Sequence, residues 1–184
     1  LLNSDVEVTP NWIQPMLTFM DANQKVIAVQ PKILQYKDKT KFEYAGGAGG
    51  FIDKFGYPFC RGRLFSSIEE DKGQYNDERQ IFWATGACMM VRRVDFVDYG
   101  GFDENFFTHQ EEIDFCWRIN SRGRKVYYIP SSVVYHLGGG TLNQSNPKKT
   151  YYNFRNNRLM IYKNLNIPRL IPLALIRFFL DYFA

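Results

Sequence analysis

Three short groups of polar residues carry the chemical content of this 184-residue chain. The first, Asn3-Ser4-Asp5, follows an apolar start that reads as the end of a strand. A carboxylate there would stand at the sheet edge where open α/β folds bind ligands. It could hold Mg²⁺ or Mn²⁺, which take one or two protein carboxylates and leave their other positions to diphosphate oxygens and water, or it could be an ordinary acidic turn. The second, Glu111-Glu112-Ile113-Asp114, opens a predicted helix. The helix dipole favours ionised carboxylates there by about 0.3–1 kcal/mol, which suits a general base. It equally suits an acidic first turn with Asp114 paired to Arg118 four residues on. At about 100° per residue, Glu111, Asp114 and Arg118 share one face, and Glu112 points elsewhere with Phe115 and Cys116. The third, His136, closes a predicted strand and is followed by Gly138-Gly139-Gly140-Thr141, a backbone that can approach a phosphate closely. Such a histidine is either a metal or phosphate ligand or a satisfied structural residue.

The elements that must position these groups alternate between helix and strand. Thr9-Pro10 is a helix start, and Trp12, Met16, Phe19 and Met20 recur at helical spacing over residues 11–23. Residues 25–31 form a short apolar strand. Residues 35–77, polar and Gly-rich without a sustained period, form a long loop whose most flexible point is 45–51, AGGAGGF. Residues 80–92 read as strand, turn and strand about Thr85-Gly86, and 93–99 as a short helix stopped by Gly100-Gly101. After a loop over 102–110 comes the helix of 111–121, ended by Gly123. Strands at 124–130 and 132–136, a loop over 138–149 and a helix over 150–165 follow. The apolar tail, 166–184, is interrupted by Arg169, Pro172, Arg177 and Asp181 and is too short for a clean transmembrane span. It fits an interfacial helix with an Arg/Asp stripe, or a helix packing on another part of the parent protein.

Composition narrows the function classes. Aromatic residues make up 17% of the chain, enough to cover apolar sugar faces as well as to fill a core. The net charge of +4 is spread along the sequence, so no nucleic-acid footprint is read, although a basic face toward anionic lipid or diphosphate fits. Cys60, Cys88 and Cys116 form no CxxC pair and read as reduced thiols, hence a cytoplasmic chain. The opening residues have no signal-peptide pattern and no initiator Met, and they read as the middle of a fold.

Taken in order, the segments LLNSDVEVTPNWI, FEYAGGAGGFIDKFG, FWATGACMMVRRVDFVDYGGFDENFF and HQEEIDFCWRINSRGRKVYYIPSSVVYHLGGGT resemble bacterial family 2 glycosyltransferases of the rhamnosyltransferase-like group. The resemblance covers residues 1–165 and is most specific over 82–141. It implies an α/β chain that is the C-terminal, acceptor-side part of a GT-A (Rossmann-like) fold, with a mixed sheet flanked by helices. Residues 1–165 would be that catalytic portion, without its N-terminal nucleotide-binding part, and 166–184 a separate apolar helix.

The resemblance also implies roles. The family's strand-end acidic motif falls on Asn3-Ser4-Asp5, with Asn3 at its first acidic position and Asp5 as the metal ligand, joined by His136. The family's base motif falls on Glu111-Glu112, making Glu112 the general base and Glu111 the fallback. Asp114 and Arg118 would brace that helix beside the ligands. Trp83, Gly86 and Ala87 match a donor and acceptor loop, and Arg155 a motif near the leaving group. The implied reaction is sugar transfer, with inversion, from a nucleotide-diphospho-sugar to an acceptor hydroxyl on a saccharide or lipid-linked saccharide, in cell-envelope synthesis. A divalent cation would assist, at the inner face of the cytoplasmic membrane. Without the nucleotide-binding part the chain alone is expected not to transfer. The rival expectations are a catalytically inactive GT-A-like carbohydrate-binding or scaffold domain, suggested by the departures at Asn3 and Glu112, and a membrane-peripheral interaction protein.

Overall fold

The computed structural model describes residues 1–138 and 147–183. Its centre is a long strand pair, β2 (Val26–Gln35) running parallel to β9 (Lys125–His136). β2 is buried along nearly its whole length, as befits a strand covered on both faces. On its other side it pairs antiparallel with β8 (Met90–Val91). β9 also pairs antiparallel with β1 (Val6–Val8) near its end and with β7 (Arg79–Ile81) near its start. The mixed sheet therefore runs β1-β9-β2-β8, with β7 off that path.

Two strands expected at 124–130 and 132–136 are one strand. Its register against β2 shifts between Pro31 and Lys32, where β9 accommodates extra residues around Pro130 and bends without breaking. The strand expected at 25–31 likewise runs on to Gln35, because the buried Lys32 finds polar partners. Lys32 Nζ bonds Asp71 Oδ2 and Asn76 Oδ1, each at 2.6 Å.

Helices cover the sheet: α1 (Ile13–Ala22), α2 (Arg93–Asp98), α3 (Glu111–Ser121), α4 (Pro147–Asn164) and α5 (Ile167–Tyr182). α1 packs Met16 and Met20 against Val26, Val29 and Ile129. Thr9 does not cap it, since Thr9 Oγ1 donates instead to the Val133 carbonyl and ties the chain to β9. The main core, with Phe42, Phe106, Phe115, Ile119 and Tyr128 fully buried, lies between the sheet and α3. α4 begins at Pro147 rather than 150, and the glycine turn at 139–141 lies outside the described residues.

The expected loop of 35–77 contains two short hairpins, β3 (Gly50–Ile52) with β4 (Pro58–Cys60) and β5 (Arg63–Leu64) with β6 (Ser67–Ile68). The segment 45–51 is not a flexible point. Gly46 to Gly50 are buried, and a Cβ on Gly50 would lie 2.0 Å from the Trp83 ring. These glycines serve close packing rather than freedom of motion.

The tail helix also differs from expectation. Arg177 and Asp181, the stripe an interfacial helix would turn to water, face inward. Arg177 Nε bonds Asp181 Oδ1 at 3.0 Å, Nη1 bonds the Phe55 carbonyl at 2.9 Å, and Nη2 bonds Asn157 Oδ1 at 2.6 Å. Tyr57 Oη donates to Asp181 at 2.5 Å. Ile171, Leu175, Phe178, Phe179 and Tyr182 face outward and are exposed. No helix among the described residues is long and apolar enough to cross a membrane.

Candidate active site

Glu111 and Glu112 stand at the first turn of α3, and the loop before them is strained. Phe107, His109 and Gln110 have φ of 62°, 67° and 70°, values that side chains other than glycine rarely adopt. Phe107, with ψ −55°, centres a γ-turn closed by Thr108 N donating to the Phe106 carbonyl at 2.7 Å. One side chain clamps the turn. Asn156 Nδ2 reaches the carbonyls of Phe106, Thr108 and His109 at 2.9, 2.6 and 2.8 Å. Backbone strain of about 1–3 kcal/mol per residue persists only where surroundings enforce it, and such sites cluster at functional loops.

Glu112 lines a cavity of about 400 Å³ with Tyr44, Tyr57, Trp83, His109, Gln110 and Asn157 among its walls. Its Oε2 is shielded from bulk water and has no hydrogen-bond partner among the described residues. Burial, and next the charge of Glu111, raise its pKa to about 7, against opposing backbone N–H donors from Glu112, Gly86 and Gln110. Glu111 is also raised by burial, but it is not among the cavity-lining residues. Of the two carboxylates, Glu112 is the one that lines this cavity.

The 83–88 loop forms one wall. Trp83 lines the cavity and anchors itself through Nε1 to the Phe51 carbonyl at 2.8 Å. Among the described residues no atom would touch a Cβ on Gly86, so their packing does not demand that glycine; its N–H turns toward the Glu112 carboxylate. The Ala87 carbonyl accepts from Asn3 N at 3.0 Å, bringing the acidic turn against this loop. The side chain of buried Gln30 holds the loop too, accepting from Thr85 N at 3.0 Å and donating to the Gly46 carbonyl at 2.6 Å.

Asp5 and His136 come together as the sequence suggested, Oδ1 to Nε2 at 3.2 Å. On the far side of the imidazole, Glu43 Oε1 lies 3.5 Å from Nδ1, an ion-pair distance at which Nδ1 has no hydrogen bond. Burial lowers the pKa of His136, but Glu43 and then Asp5 outweigh it, and the net shift is upward. Among the described residues no group of three or more His, Cys, Asp and Glu side chains gathers as a metal cage. The pair nevertheless suits an ion that takes few protein ligands. Two ligands at about 2.1 Å from a metal and at right angles to each other stand about 3 Å apart, and a metal-bound imidazole usually has a carboxylate or carbonyl behind its other nitrogen to fix the ring's orientation.

Other predicted residues fall elsewhere. Asp114, expected beside the ligands, is fully buried; it accepts from Arg118 Nε at 2.9 Å, Lys163 Nζ at 2.8 Å and Asn164 Nδ2 at 2.8 Å. Arg118 spends its other donors on the carbonyls of Tyr99 and Gly101. Both residues are packing elements, because a buried carboxylate needs compensating donors and these supply them. Arg155 donates to the Asn105 carbonyl and does not line the cavity. Its neighbours Asn156 and Asn157 carry the contacts. Asn157 Nδ2 bonds the Gly56 carbonyl at 2.8 Å and Gln110 Oε1 at 3.3 Å, which links the α3 start through Asn157 to Arg177 on α5. The sequence reading missed His109, Gln30, Glu43, Asn157 and Arg177. Of these, only His109 gave an available signal, being an ionisable residue two positions before the acidic pair.

No family model matches the chain. It is 41% identical over 59 residues to the N-acetylglucosaminyl-diphospho-decaprenol L-rhamnosyltransferase of Mycobacterium tuberculosis, a match covering 32% of this chain and 19% of that protein. It is 28% identical over 153 residues to the O-antigen biosynthesis protein RfbC of Myxococcus xanthus, covering 82% of this chain and 12% of that one. The chain thus spans less than a quarter of the length of either relative. Among solved structures it superposes on GalNAc-T7 with UDP, GalNAc and Mn²⁺ with a TM-score of 0.53 and 18% identity, covering 79% of this chain and 28% of that one. The chain has the mixed α/β fold of a GT-A glycosyltransferase, and its sequence relatives include glycosyltransferases, rhamnosyltransferases among them.

Proposed function

We propose that this chain is the acceptor-side part of an inverting family 2 glycosyltransferase of cell-envelope glycan synthesis. It would transfer a hexosyl or deoxyhexosyl unit from a nucleotide-diphospho-sugar to an acceptor hydroxyl. The observation that carries this reading is Glu112, a shielded carboxylate with an unpartnered oxygen in a cavity walled by aromatic side chains. A pKa near 7 matches a general base to neutral conditions, because it combines enough ionised form with a strong pull on the proton.

In this reading the acceptor sugar lies in the cavity against Trp83, Tyr44 and Tyr57. Glu112 takes the proton of the attacking hydroxyl, and the aromatic walls cover the apolar faces of the sugar. Asp5 and His136 would hold Mg²⁺ or Mn²⁺, which supplies charge neutralisation to the departing nucleoside diphosphate. Glu43 orients the imidazole, and Asn3 and the Gly86-Ala87 backbone flank the same edge. The outward apolar face of α5 rests on the membrane surface and suits a lipid-linked acceptor.

Glu112→Gln in the full-length protein tests the base. Turnover is expected to fall about 10²- to 10⁴-fold with donor binding retained, and the rising limb of the parent's pH–rate profile near 7 should vanish. Unchanged turnover would reject Glu112 and favour a carbohydrate-binding or scaffold domain.

A further inference from the structure

The cavity beside Glu112 carries a charge pattern that proton abstraction does not require. Its lining residues include Arg63, Lys149 and Arg177, with Glu112 the one acid among them. Arg177 is spent on Asp181, Asn157 and the Phe55 carbonyl. Arg63 and Lys149 have no carboxylate partner among the described residues. Arg63 is held in place by stacking 4.0 Å over the Tyr44 ring and by one bond, from Nη1 to the Phe65 carbonyl at 3.2 Å, so most of its planar fork is uncommitted. His109 adds a third group, since its Nε2 is shielded and has no hydrogen-bond partner among the described residues. Burial and next the charge of Lys149 lower the His109 pKa, so Lys149 stands within electrostatic reach of the imidazole.

Buried polar atoms in native proteins nearly always have partners, and an orphan on a cavity wall calls for one from a ligand. A neutral imidazole N–H, an ammonium and a guanidinium fork share one complement, an oxyanion, for which the arginine geometry is especially suited. None of the three is part of the Asp5–His136 pair, so they do not duplicate its task.

We propose that the cavity recognises an anionic acceptor, binding a phosphate or carboxylate group carried beside the accepting sugar through Arg63, Lys149 and His109 Nε2–H. The anion fixes the sugar so that one hydroxyl faces Glu112. This rests on the cavity being the acceptor site, and it adds the acceptor's charge.

The test is calorimetric binding to the full-length protein with UDP and Mg²⁺ at saturation, so that a donor diphosphate site is already filled. The probes are inorganic phosphate, N-acetylglucosamine 1-phosphate, glucuronic acid and methyl N-acetylglucosaminide. The anionic probes should bind, and Arg63→Gln and Lys149→Gln should each weaken them about tenfold, the scale of one charge-assisted bond in a partly solvated site. Arg63→Lys, which keeps the charge but not the fork, should weaken anion binding less than Arg63→Gln does, and affinity for the neutral glycoside should not move. Tighter binding of the phosphate ester than of glucuronic acid identifies phosphate as the anion, and the reverse order identifies a carboxylate. No binding of any anion by the parent, or anion binding that all three variants leave unchanged, overturns the proposal. Glu112→Gln separates the two readings: intact anion binding with unchanged turnover would sink the base while leaving the anion site standing.

Discussion

At the scale of single residues, Glu112 links stability and chemistry through one proton. Its folded-state pKa of about 7 lies above the ordinary 4.5, so the folded protein holds this proton more tightly than the unfolded chain does. The stability it contributes is therefore full below pH about 4.5 and is lost as pH rises through about 7. Glu112→Gln, which cannot ionise, should lose less stability than the parent between pH 5 and 8, by an amount on the order of 2–3 kcal/mol. Denaturant unfolding at the two pH values measures the difference, and identical pH dependence in parent and variant would show that the carboxyl is not buried. Local pattern marked the acidic helix start, because acidic residues at a first turn are legible in four consecutive letters, but it left an ordinary first turn equally open, and the choice of Glu112 came from the resemblance. Glu43 and Gln30 were not legible. Each acts on a group far along the chain, Glu43 on His136 and Gln30 on Thr85, and no spacing rule brings such pairs together.

At the scale of elements, the loop before α3 depends on α4. Asn156 is a positioning residue that reaches the site only through the carbonyls of Phe106, Thr108 and His109. Asn156→Ala leaves those buried acceptors without their donor, which should cost about 1–3 kcal/mol of stability. It should also lower kcat, since the α3 first turn would no longer be held, while donor affinity stays near that of the parent. A melt combined with steady-state kinetics checks both, and a fall in stability alone would make Asn156 purely structural. Sequence periodicity recovered α2 and α3 almost to the residue, because their apolar stripes and glycine stops are contained within each element. It failed over 35–77, where strands of two and three residues are too short to display a period. There the glycines were misread because composition alone does not separate a mobile backbone from one pressed against Trp83.

At the scale of the whole molecule, α5 has two faces with opposite commitments. Its polar side is locked to α4 and the turn before β4 through Arg177 and Asp181, and Arg177 also lines the cavity. Its apolar side is turned to solvent, with Phe178 67% and Tyr182 78% exposed. If that face meets a bilayer, the full-length protein should float with anionic liposomes. Replacing Leu175, Phe178 and Phe179 by Ser should abolish flotation with little change in the melting temperature, since these side chains are 63%, 67% and 63% exposed. Loss of folding in the triple variant would instead mean that α5 packs on another part of the protein. The resemblance read from the sequence anticipated the overall class, a mixed α/β GT-A fold, because the ordered motifs span most of the chain. The inward turn of the Arg/Asp stripe was invisible to it, since its partners Tyr57 and Asn157 lie more than a hundred and about twenty positions away in sequence.

The positive-φ residues Phe107, His109 and Gln110 have a bearing on how such a protein would respond to selection. Non-glycine side chains there hold conformations that glycine adopts without penalty, so heat resistance and the placement of Glu112 make opposing demands on the same few codons. A lineage screened only for survival at high temperature would drift toward glycine at Phe107 and His109, gaining a more tolerant loop and shedding the imidazole that faces the cavity.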